Sequence, residues 1–583
     1  MRKLLKNLSG REWALAFLAF LFVLLQVWLN LTMPDYMSEI TTLVQTEGSE
    51  MSAILTAGGK MLLCALGSLL SAVATTICAA RISATFSADL REKIFNRVQS
   101  FSMEEIGHFS TASLITRSTN DVMQIQMLII LGLEILLRAP VTAVWAVLKI
   151  SGKNWTWTAE TIIAVVVLLT IVITCMVLAL PKMKLMQTLT DSLNRVTREN
   201  LSGLSVIRAY NAEKYQEDKF EKANEDLKKN QLFANRVMTI LNPGIQLVMS
   251  GLTLAIYWMG AYMIKDAAMP DKLPLFSDMI VFSQYAMQIV MSFMMLVMIF
   301  VLLPRASVSA KRINEVLDTE PVIKDGKVET ADTEGEIEFR NVSFRYPDAE
   351  QAVLENITFT AHKGETVALI GATGCGKSTV VNLIPRFYDA TEGEVLVNNV
   401  NVREYSQKAL RNKIGYVSQK AVLFSGTVSS NVSYGDNGKD AATEEDIRQA
   451  VHTAQADEFV EKSEDGYESY VAQGGSNFSG GQKQRLSIAR AICRKPEIFI
   501  FDDSFSALDY KTDRILRKAL ETTCAAATKI IVAQRIGTIR GADKIIVLED
   551  GKIAGCGTHD ALMKNCEVYK QIAYSQLSKE ELA

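Results

Sequence analysis

A glycine-rich segment in the second half of the chain has the residue types that bind phosphate groups. It reads Gly371-Ala372-Thr373-Gly374-Cys375-Gly376-Lys377-Ser378-Thr379 and lies between a strand-like run at 366–370 and a helical segment. Glycines let backbone N–H groups surround phosphate oxygens, the lysine reaches the β- and γ-phosphates, and the serine offers its hydroxyl to Mg²⁺. A chance glycine-rich turn is the alternative, which the order of strand, loop and helix disfavours.

A second apolar run supplies a carboxylate for the same chemistry. Residues 498–501 are alternately Ile and Phe, and Asp502 follows them. A carboxylate at the end of a buried strand can hold the Mg²⁺ of a bound nucleotide. Such a run is common by chance, but together with the glycine-rich segment it predicts an α/β domain that binds ATP and Mg²⁺.

A third motif points to a family. The segment Asn477-Phe478-Ser479-Gly480-Gly481-Gln482 resembles the signature motif of ATP-binding-cassette (ABC) proteins, and the resemblance extends along essentially the whole chain. It implies that the signature residues contact a nucleotide, that Tyr346 stacks on the adenine ring, and that Gln419 joins Ser378 and Asp502 at the Mg²⁺. Residues 506–509 match the loop that crosses the interface between two cassettes.

Two positions depart from the ABC pattern where the attacking water and the γ-phosphate are handled. After Asp502 the family has Glu, but this chain has Asp503. The missing methylene sets the carboxylate back by roughly 1.5 Å, and a displacement near 1 Å can cost about 10²-fold in rate. Gln534 replaces the family's switch-loop histidine, and it carries no positive charge. Gln473, where related exporters often have Glu, is softer evidence. We therefore expect a slow, ATP-retaining site with Asp503 and Gln534 at the catalytic positions.

The resemblance also implies a dimer in which two cassettes meet head to tail. Each ATP then lies between the phosphate loop of one chain and the signature of the other. This chain keeps Ser479, Gly480, Gly481 and Gln482, so it can complete a partner's site. We therefore expect a heterodimer with a second half-transporter that carries Glu and His where this chain has Asp503 and Gln534.

The first half of the chain has the composition of a membrane domain. A spanning helix needs about 20 mostly apolar residues, and six segments qualify: 13–33, 61–80, 128–150, 161–180, 237–264 and 279–303. Arg2, Lys3, Lys6 and Arg11 precede the first span, whereas acidic residues such as Asp35 and Glu39 occupy the loop expected after it. By the positive-inside rule the N-terminus is cytoplasmic, and six crossings return the C-terminus to the cytoplasm.

The polar stretches between the spans are too long to be turns. Residues 81–127 and 181–236 contain few helix breakers, which predicts helices that continue well into the cytoplasm. Within them, 107–117 with 120–122 resembles the first intracellular coupling region of ABC exporters, and 203–210 resembles the second.

These parts predict a membrane α-helical bundle of six transmembrane helices with long cytoplasmic extensions, fused to an α/β P-loop ABC ATPase domain. We expect a transmembrane domain at 1–318, a linker at 319–335 and the nucleotide-binding domain at 336–583. The layout resembles a type IV exporter half-transporter, and it is similar to the degenerate-site subunit of bacterial heterodimeric multidrug exporters. We therefore expect the protein in the cell inner (plasma) membrane. The net charge of -3, from 61 basic and 64 acidic residues, disfavours binding to nucleic acid.

The sequence says less about the transported compound. The sixth span is rich in methionine, and Gln284 and Gln288 would share a helix face. Methionine adapts to varied apolar surfaces, which favours a small hydrophobic or amphipathic substrate, but ordinary packing explains the span about as well. A lipid or lipid-linked flippase, an ATP-gated channel and a regulatory subunit stay open as alternatives.

Two further features have a functional and a structural interpretation. Glu134 and Arg138, four apart in the third span, could mark a substrate or ion pathway, but we favour an i,i+4 ion pair. Cys375, next to a helix N-terminus, could be a reactive thiol, but we favour an inert side chain.

Overall fold

The computed structural model describes residues 3, 8–46, 48–151, 154–347 and 349–576, with the backbone alone for 297–301 and 304. The chain divides into two compact units. The first comprises Met1–Gln99 and Thr111–Thr319, and the second comprises Ser100–Ser110 and Glu320–Ala583. Of the basic residues used above to orient the chain, Arg2 and Lys6 lie outside the described residues.

Long helices make up the first unit. In chain order the helices of the first half are α1 (Gly10–Gln45), α2 (Met51–Gln99), α3 (Met103–Phe109, in the second unit), α4 (Thr111–Ser118), α5 (Asn120–Leu131), α6 (Leu137–Ile150), α7 (Trp155–Ser202), α8 (Leu204–Ala209), α9 (Glu213–Thr239), α10 (Leu241–Asp266) and α11 (Met269–Asp318). A π-helical turn, Gly132–Leu136, joins α5 to α6. The polar stretches predicted to be helical therefore are so, with short breaks.

Six helical runs among the described residues are long and apolar enough to cross a membrane, which confirms the six predicted spans. They are Gly10–Gln45, Met51–Gln99, Thr111–Ile150, Trp155–Ser202, Glu213–Asp266 and Met269–Leu296. The apolar stretch of each run is strongly hydrophobic, yet only 11–50% of it is buried inside the chain. A surface this apolar is stable only against lipid or another protein.

A polar cluster ties three spans together. The hydroxyl of Tyr285 in α11 lies 2.9 Å from the carbonyl oxygen of Leu31 and 2.7 Å from Oδ1 of Asp35, both in α1. Nζ of Lys149, in α6, lies 2.6 Å from Oδ2 of Asp35. The sequence analysis expected a loop at Asp35, and that prediction is wrong because α1 continues to Gln45 through the internal Pro34. Proline removes one intrahelical hydrogen bond, and the contacts from α6 and α11 help to hold the helix beyond it.

The π-helical turn lies where the third span was predicted to carry an ion pair. Glu134 belongs to the turn, and Arg138 begins the next stretch of α-helix. A π turn bonds residue i to i+5, which changes the angle between side chains four apart. Within the described residues no ion pair joins Glu134 to Arg138, so the predicted i,i+4 pair is wrong.

The segment Ser100–Ser110 lies between long helices of the first unit but packs with the second. Ser102 begins α3 with a capping box, in which its backbone N–H donates to Oε2 of Glu105 at 2.6 Å. The other carboxylate oxygen, Oε1, accepts the N–H of Val322 at 2.9 Å. One glutamate therefore both starts the helix and fixes the segment to the chain after α11.

The second unit is built on sheets with helices between the strands, which confirms the predicted α/β domain. Its strands are β1 (Ile337–Phe344), β2 (Leu354–Ala361), β3 (Thr366–Gly371), β4 (Glu392–Val397), β5 (Val400–Asn401), β6 (Ile414–Val417), β7 (Gly426–Thr427), β8 (Tyr470–Val471), β9 (Ile498–Asp502), β10 (Thr528–Val532), β11 (Lys544–Glu549) and β12 (Lys552–Gly557). Its helices after α11 are α12 (Lys377–Leu383), α13 (Gln407–Asn412), α14 (Val428–Val432), α15 (Glu444–Thr453), α16 (Asp457–Glu461), α17 (Gly480–Cys493), α18 (Tyr510–Thr523), α19 (Ile536–Ile539), α20 (His559–Asn565) and α21 (Glu567–Gln576).

The larger sheet has the strand order β12-β11-β3-β10-β9-β6. Its central strands are parallel, and only β12 runs antiparallel to its neighbour β11. A smaller antiparallel sheet has the order β2-β1-β4-β5. Every residue of β9 and β10 is buried, because helices and the second sheet cover both faces. This packing fixes the carboxyl edge of the sheet, where the predicted nucleotide residues lie.

The polar cluster at Tyr285 generates a stability prediction. Tyr285→Phe removes the one proton that the Leu31 and Asp35 oxygens share, and the side chain is fully buried. A hydrogen bond to a charged group contributes about 1.5–3 kcal/mol, so losing the bond to Asp35 should lower the midpoint of thermal unfolding in detergent micelles. Tyr262→Phe, at a side chain that is 53% exposed, is the control and is expected to leave the midpoint unchanged. Equal midpoints for the two variants would contradict the role of the cluster.

Candidate nucleotide-binding site

Three adjacent parallel strands deliver the predicted residues to one edge of the sheet. β10 lies between β3 and β9, and Val532 on β10 is level with Leu369 on β3 and Asp502 on β9. The glycine-rich segment follows β3, Asp503 follows β9, and Gln534 lies in the loop after β10. Because the carboxyl ends of parallel strands meet at the same edge, residues far apart in sequence converge there.

The glycine-rich segment forms a tight loop ahead of α12. Gly376 has φ +97° in the left-handed region, and a Cβ there would collide with the side chain of Leu354. Lys377 is buried, and its Nζ donates to the carbonyl oxygens of Gly371 at 2.8 Å and Ala372 at 2.7 Å. The ammonium is therefore held inside the loop, at the N-terminal end of α12, where phosphate oxygens are stabilised.

Ser378 and Asp502 are in direct contact, as a shared Mg²⁺ site requires. The serine hydroxyl donates to Oδ1 of Asp502 at 2.8 Å. Burial raises the pKa of Asp502, with the nearby Asp503 adding to the rise and the Ser378 hydroxyl opposing it. Two oxygen donors, one of them a buried carboxylate, suit a hard divalent cation, so the residues present fit Mg²⁺.

The carboxylate of Asp503 is held by two amides. Nε2 of Gln534 donates to its Oδ2 at 2.7 Å, and Nε2 of Gln419 lies 3.3 Å from the same oxygen. Asp503 has φ +47°, a left-handed conformation that aspartate tolerates better than most residues. Burial raises its pKa, and the two amides oppose that rise. The structure thus brings together both positions that depart from the ABC pattern.

A cavity of about 340 Å³ is bounded by Lys377, Ser378, Asp503 and the two glutamines, while Asp502 is not among the described residues that line it. Its lining contains Tyr346, Val353, Thr373, Gly374, Gly376, Lys377, Ser378, Thr379, Gln419, Asp503, Val532 and Gln534. Tyr346 lies at one side, where its hydroxyl is 3.1 Å from that of Thr379 and its ring meets Tyr388 edge-on. Val353 and Val532 were missed by the sequence analysis, because an aliphatic side chain in a strand or loop gives no chemical signal.

The signature residues lie elsewhere. Among the described residues, the cavity lining includes none of Ser479, Gly480, Gly481 and Gln482. They form the first turn of α17, where Ser479 accepts the N–H of Gln482 and donates its own N–H to that side chain at 2.8 Å. The motif is thus a capping box at a helix N-terminus, in which Gly480 is exposed and Gly481 is half-buried.

Cys375 is buried within the phosphate loop. Only 7% of it is exposed, and its Sγ lies 3.6 Å from Nζ of Lys377. A thiolate needs access to react with reagents. The burial therefore favours the inert interpretation of this thiol.

The buried carboxylates predict how nucleotide binding depends on pH. The pKa values of Asp502 and Asp503 lie above those of exposed aspartates, so both bind protons earlier as the pH falls. A protonated carboxyl is a poor Mg²⁺ ligand. We expect the affinity for a fluorescent ATP analogue in the presence of Mg²⁺ to fall as the pH drops from neutral into the acidic range. Asp502→Asn should flatten this dependence, and a wild-type affinity independent of pH would contradict it.

Comparison with known proteins agrees with both halves of the chain. Residues 16–293 match the family model described as the ABC transporter transmembrane region, and residues 354–506 match the model described as ABC transporter. An uncharacterized ABC transporter ATP-binding protein of Mycobacterium bovis is 39% identical over 521 residues, which cover 89% of this chain and 87% of that protein.

Two further relatives and one solved structure are informative. An uncharacterized ABC transporter ATP-binding protein of Bacillus subtilis is 36% identical, covering 86% of each chain. An ATP-dependent lipid A-core flippase of Pseudomonas fluorescens is 31% identical, covering 85% of this chain and 81% of its own. A bacterial Atm1-family ABC exporter with ATP bound shares the fold, with a TM-score of 0.77 at 24% identity over 98% of this chain and 99% of that one. The chain belongs to the ABC transporter family, and it joins one ABC transporter transmembrane region to one ABC ATPase domain.

Proposed function

We propose that this chain is one subunit of a heterodimeric ABC exporter that moves hydrophobic or amphipathic compounds out of the cytoplasm by alternating access. In this proposal residues 1–318 form the membrane domain, 319–335 the linker and 336–583 the cytoplasmic ATPase domain. Both termini are cytoplasmic, and the protein spans the cell inner (plasma) membrane several times. The proposal is supported by the six apolar helical runs and by the nucleotide cavity at the sheet edge.

The observation that carries the proposed asymmetry is the environment of Asp503. A carboxylate that activates water must accept its proton, and the γ-phosphate that leaves must have its growing negative charge neutralised. Here Asp503 is already engaged by the neutral amides of Gln419 and Gln534. An amide can donate a hydrogen bond but can neither carry a positive charge nor shuttle a proton. This chain's own site is therefore proposed to bind ATP and to hydrolyse it slowly.

The remaining site residues are proposed to hold the nucleotide. Lys377 and the backbone of residues 371–379 surround the phosphates, and Tyr346 contacts the adenine. Mg²⁺, when bound by Ser378, Asp502 and Gln419, neutralises charge on the β- and γ-phosphates. The contact between Ser378 and Asp502 and the place of Gln419 in the cavity lining support this assignment.

The position of the signature motif supports a partner chain. Among the described residues, those that line this chain's own cavity include none from the first turn of α17, where Ser479 and Gly480 are exposed. A helix N-terminus with free glycine N–H groups attracts phosphate. We propose that Ser479, Gly480, Gly481 and Gln482 complete the ATP site of a second half-transporter, which carries the Glu and His that this chain lacks.

A lipid flippase is the second candidate. It is favoured by relatives described as lipid A-core flippases, which are 30–31% identical over more than four fifths of this chain. A flippase and an exporter of small amphipathic compounds both need a wide apolar path, so the ATPase domain does not separate them. The difference lies in which molecule changes leaflet.

ATP turnover tests the asymmetric site. We expect the chain purified alone to hydrolyse ATP at least tenfold more slowly than it does with its partner, because one effective carboxylate and one cation are missing. The double variant Asp503→Glu with Gln534→His should raise the turnover of the chain alone. Asp560→Asn, an exposed carboxylate outside the cavity, is the matched control and should leave turnover unchanged. Brisk turnover by the unmodified chain alone would refute the proposal.

Transport in vesicles distinguishes the two candidate substrates. Inside-out vesicles that contain the complex should accumulate a fluorescent cationic amphiphile when ATP is supplied, whereas a flippase should move a labelled lipid between leaflets. Vesicles that contain the same complex but receive no ATP are the control for energy-independent leakage. ATP-dependent lipid movement without accumulation of the amphiphile would replace the first candidate by the second.

A further inference from the structure

The end of the C-terminal helix touches the loop that carries Gln534. We call residues 533–535, together with the N–H of Ile536, the switch loop. The side chain of Gln576, the last residue of α21, bridges two backbone groups of this loop. Its Nε2 donates to the carbonyl oxygen of Gln534 at 2.7 Å, and its Oε1 accepts the N–H of Ile536 at 2.8 Å. These positions are 42 and 40 residues away in sequence.

The two hydrogen bonds fix the backbone on both sides of Arg535. The carbonyl of Gln534 belongs to the peptide plane before Arg535, and the N–H of Ile536 belongs to the plane after it. An amide side chain that binds both supplies what a neighbouring strand would supply at that position. It also caps α19, whose N-cap residue Arg535 makes no side-chain capping bond of its own.

The restrained segment leads directly to the reacting end of the cavity. The side chain of Gln534 donates to Oδ2 of Asp503 at 2.7 Å, and the same oxygen accepts a hydrogen bond from the side-chain amide of Gln419. A rotation of the peptide plane after Gln534 moves its Cα and hence its amide relative to that oxygen. The contact with Gln576 therefore opposes a motion that would separate Gln534 from Asp503.

The helix that supplies Gln576 is itself firmly held. Tyr569 and Ala573, on the inner face of α21, are fully buried. The hydroxyl of Tyr569 lies 2.8 Å from Nδ1 of His559, which anchors α21 to α20. Nη1 of Arg517 in α18 donates to the carbonyl oxygen of Thr538, in α19, at 3.1 Å. The short helix that follows the switch loop is thus held by α18, and the switch loop itself is held by Gln576 of α21.

We propose that Gln576 is a positioning residue of the nucleotide site, which sets the switch loop so that residue 534 faces the carboxylate at position 503. The inference rests on the proposed function for the role of Gln534. It predicts that the C-terminal helix controls nucleotide retention and turnover without touching the nucleotide.

The test uses the full chain purified with its partner. Gln576→Ala should speed the release of a fluorescent ATP analogue from this chain's site by about tenfold, since the loss of two hydrogen bonds frees the loop. In the Asp503→Glu, Gln534→His background, the same change should lower kcat severalfold with KM unchanged. Gln576→Glu should not rescue either property, because its carboxylate repels the carbonyl oxygen of Gln534. Ser575→Ala, one residue earlier and outside the bridge, is the matched control and should behave as the parent.

A double-mutant comparison distinguishes a positioning role of Gln576 from a merely structural one. If Gln576 acts through Gln534, Gln576→Ala adds nothing to the release rate of a Gln534→Ala variant. Additive effects, or equal effects of Gln576→Ala and Ser575→Ala, would overturn the inference. If the Glu and His substitutions fail to raise turnover, the proposed slow site is refuted, while the release measurements still decide the role of Gln576.

Discussion

One carboxylate oxygen, Oδ2 of Asp503, is the point on which the nucleotide site depends. Two glutamine amides from separate loops converge on it, one from the strand-end loop after β6 and one from the loop after β10. Both amides are neutral, so they bind the carboxylate firmly but supply no positive charge at this position when negative charge grows on a phosphate. The same arrangement that orders the loops thus limits what they do chemically. Each loop is fixed in turn by the sheet edge, which brings β10, β9 and β6 side by side.

The helical unit meets a comparable constraint with a different solution. Its helices are apolar over long windows, and polar groups among them need partners within the protein because lipid offers none. Asp35, Lys149 and Tyr285 pair with one another across α1, α6 and α11. Ser68 similarly donates to the side chain of Asn30 at 2.6 Å, which joins α2 to α1. Polar contacts between neighbouring spans therefore define which helix faces meet.

Compact motifs could be predicted from the sequence, and contacts between distant residues could not. The phosphate loop, Asp502 and the six spans each depend on a short run of residues, so their chemistry and periodicity are visible in one dimension. The bridge from Gln576 to the switch loop gives no such signal, because a glutamine at the end of a half-buried helix is ordinary. The π-helical turn and the continuation of α1 past Pro34 depend on packing against other helices, which local propensity does not include.

The capping box at the signature motif has a practical consequence for mutagenesis. Ser479 starts α17 through its hydroxyl and its backbone N–H, both of which are already engaged with Gln482. Truncating such an N-cap to alanine costs about 1 kcal/mol of helix stability, whatever the residue does for a nucleotide. A loss of activity in a Ser479→Ala variant would thus mix a frayed helix with a lost ligand contact. A substitution that keeps an N-cap acceptor but removes the hydroxyl, such as Ser479→Asn or Ser479→Asp, separates these two effects.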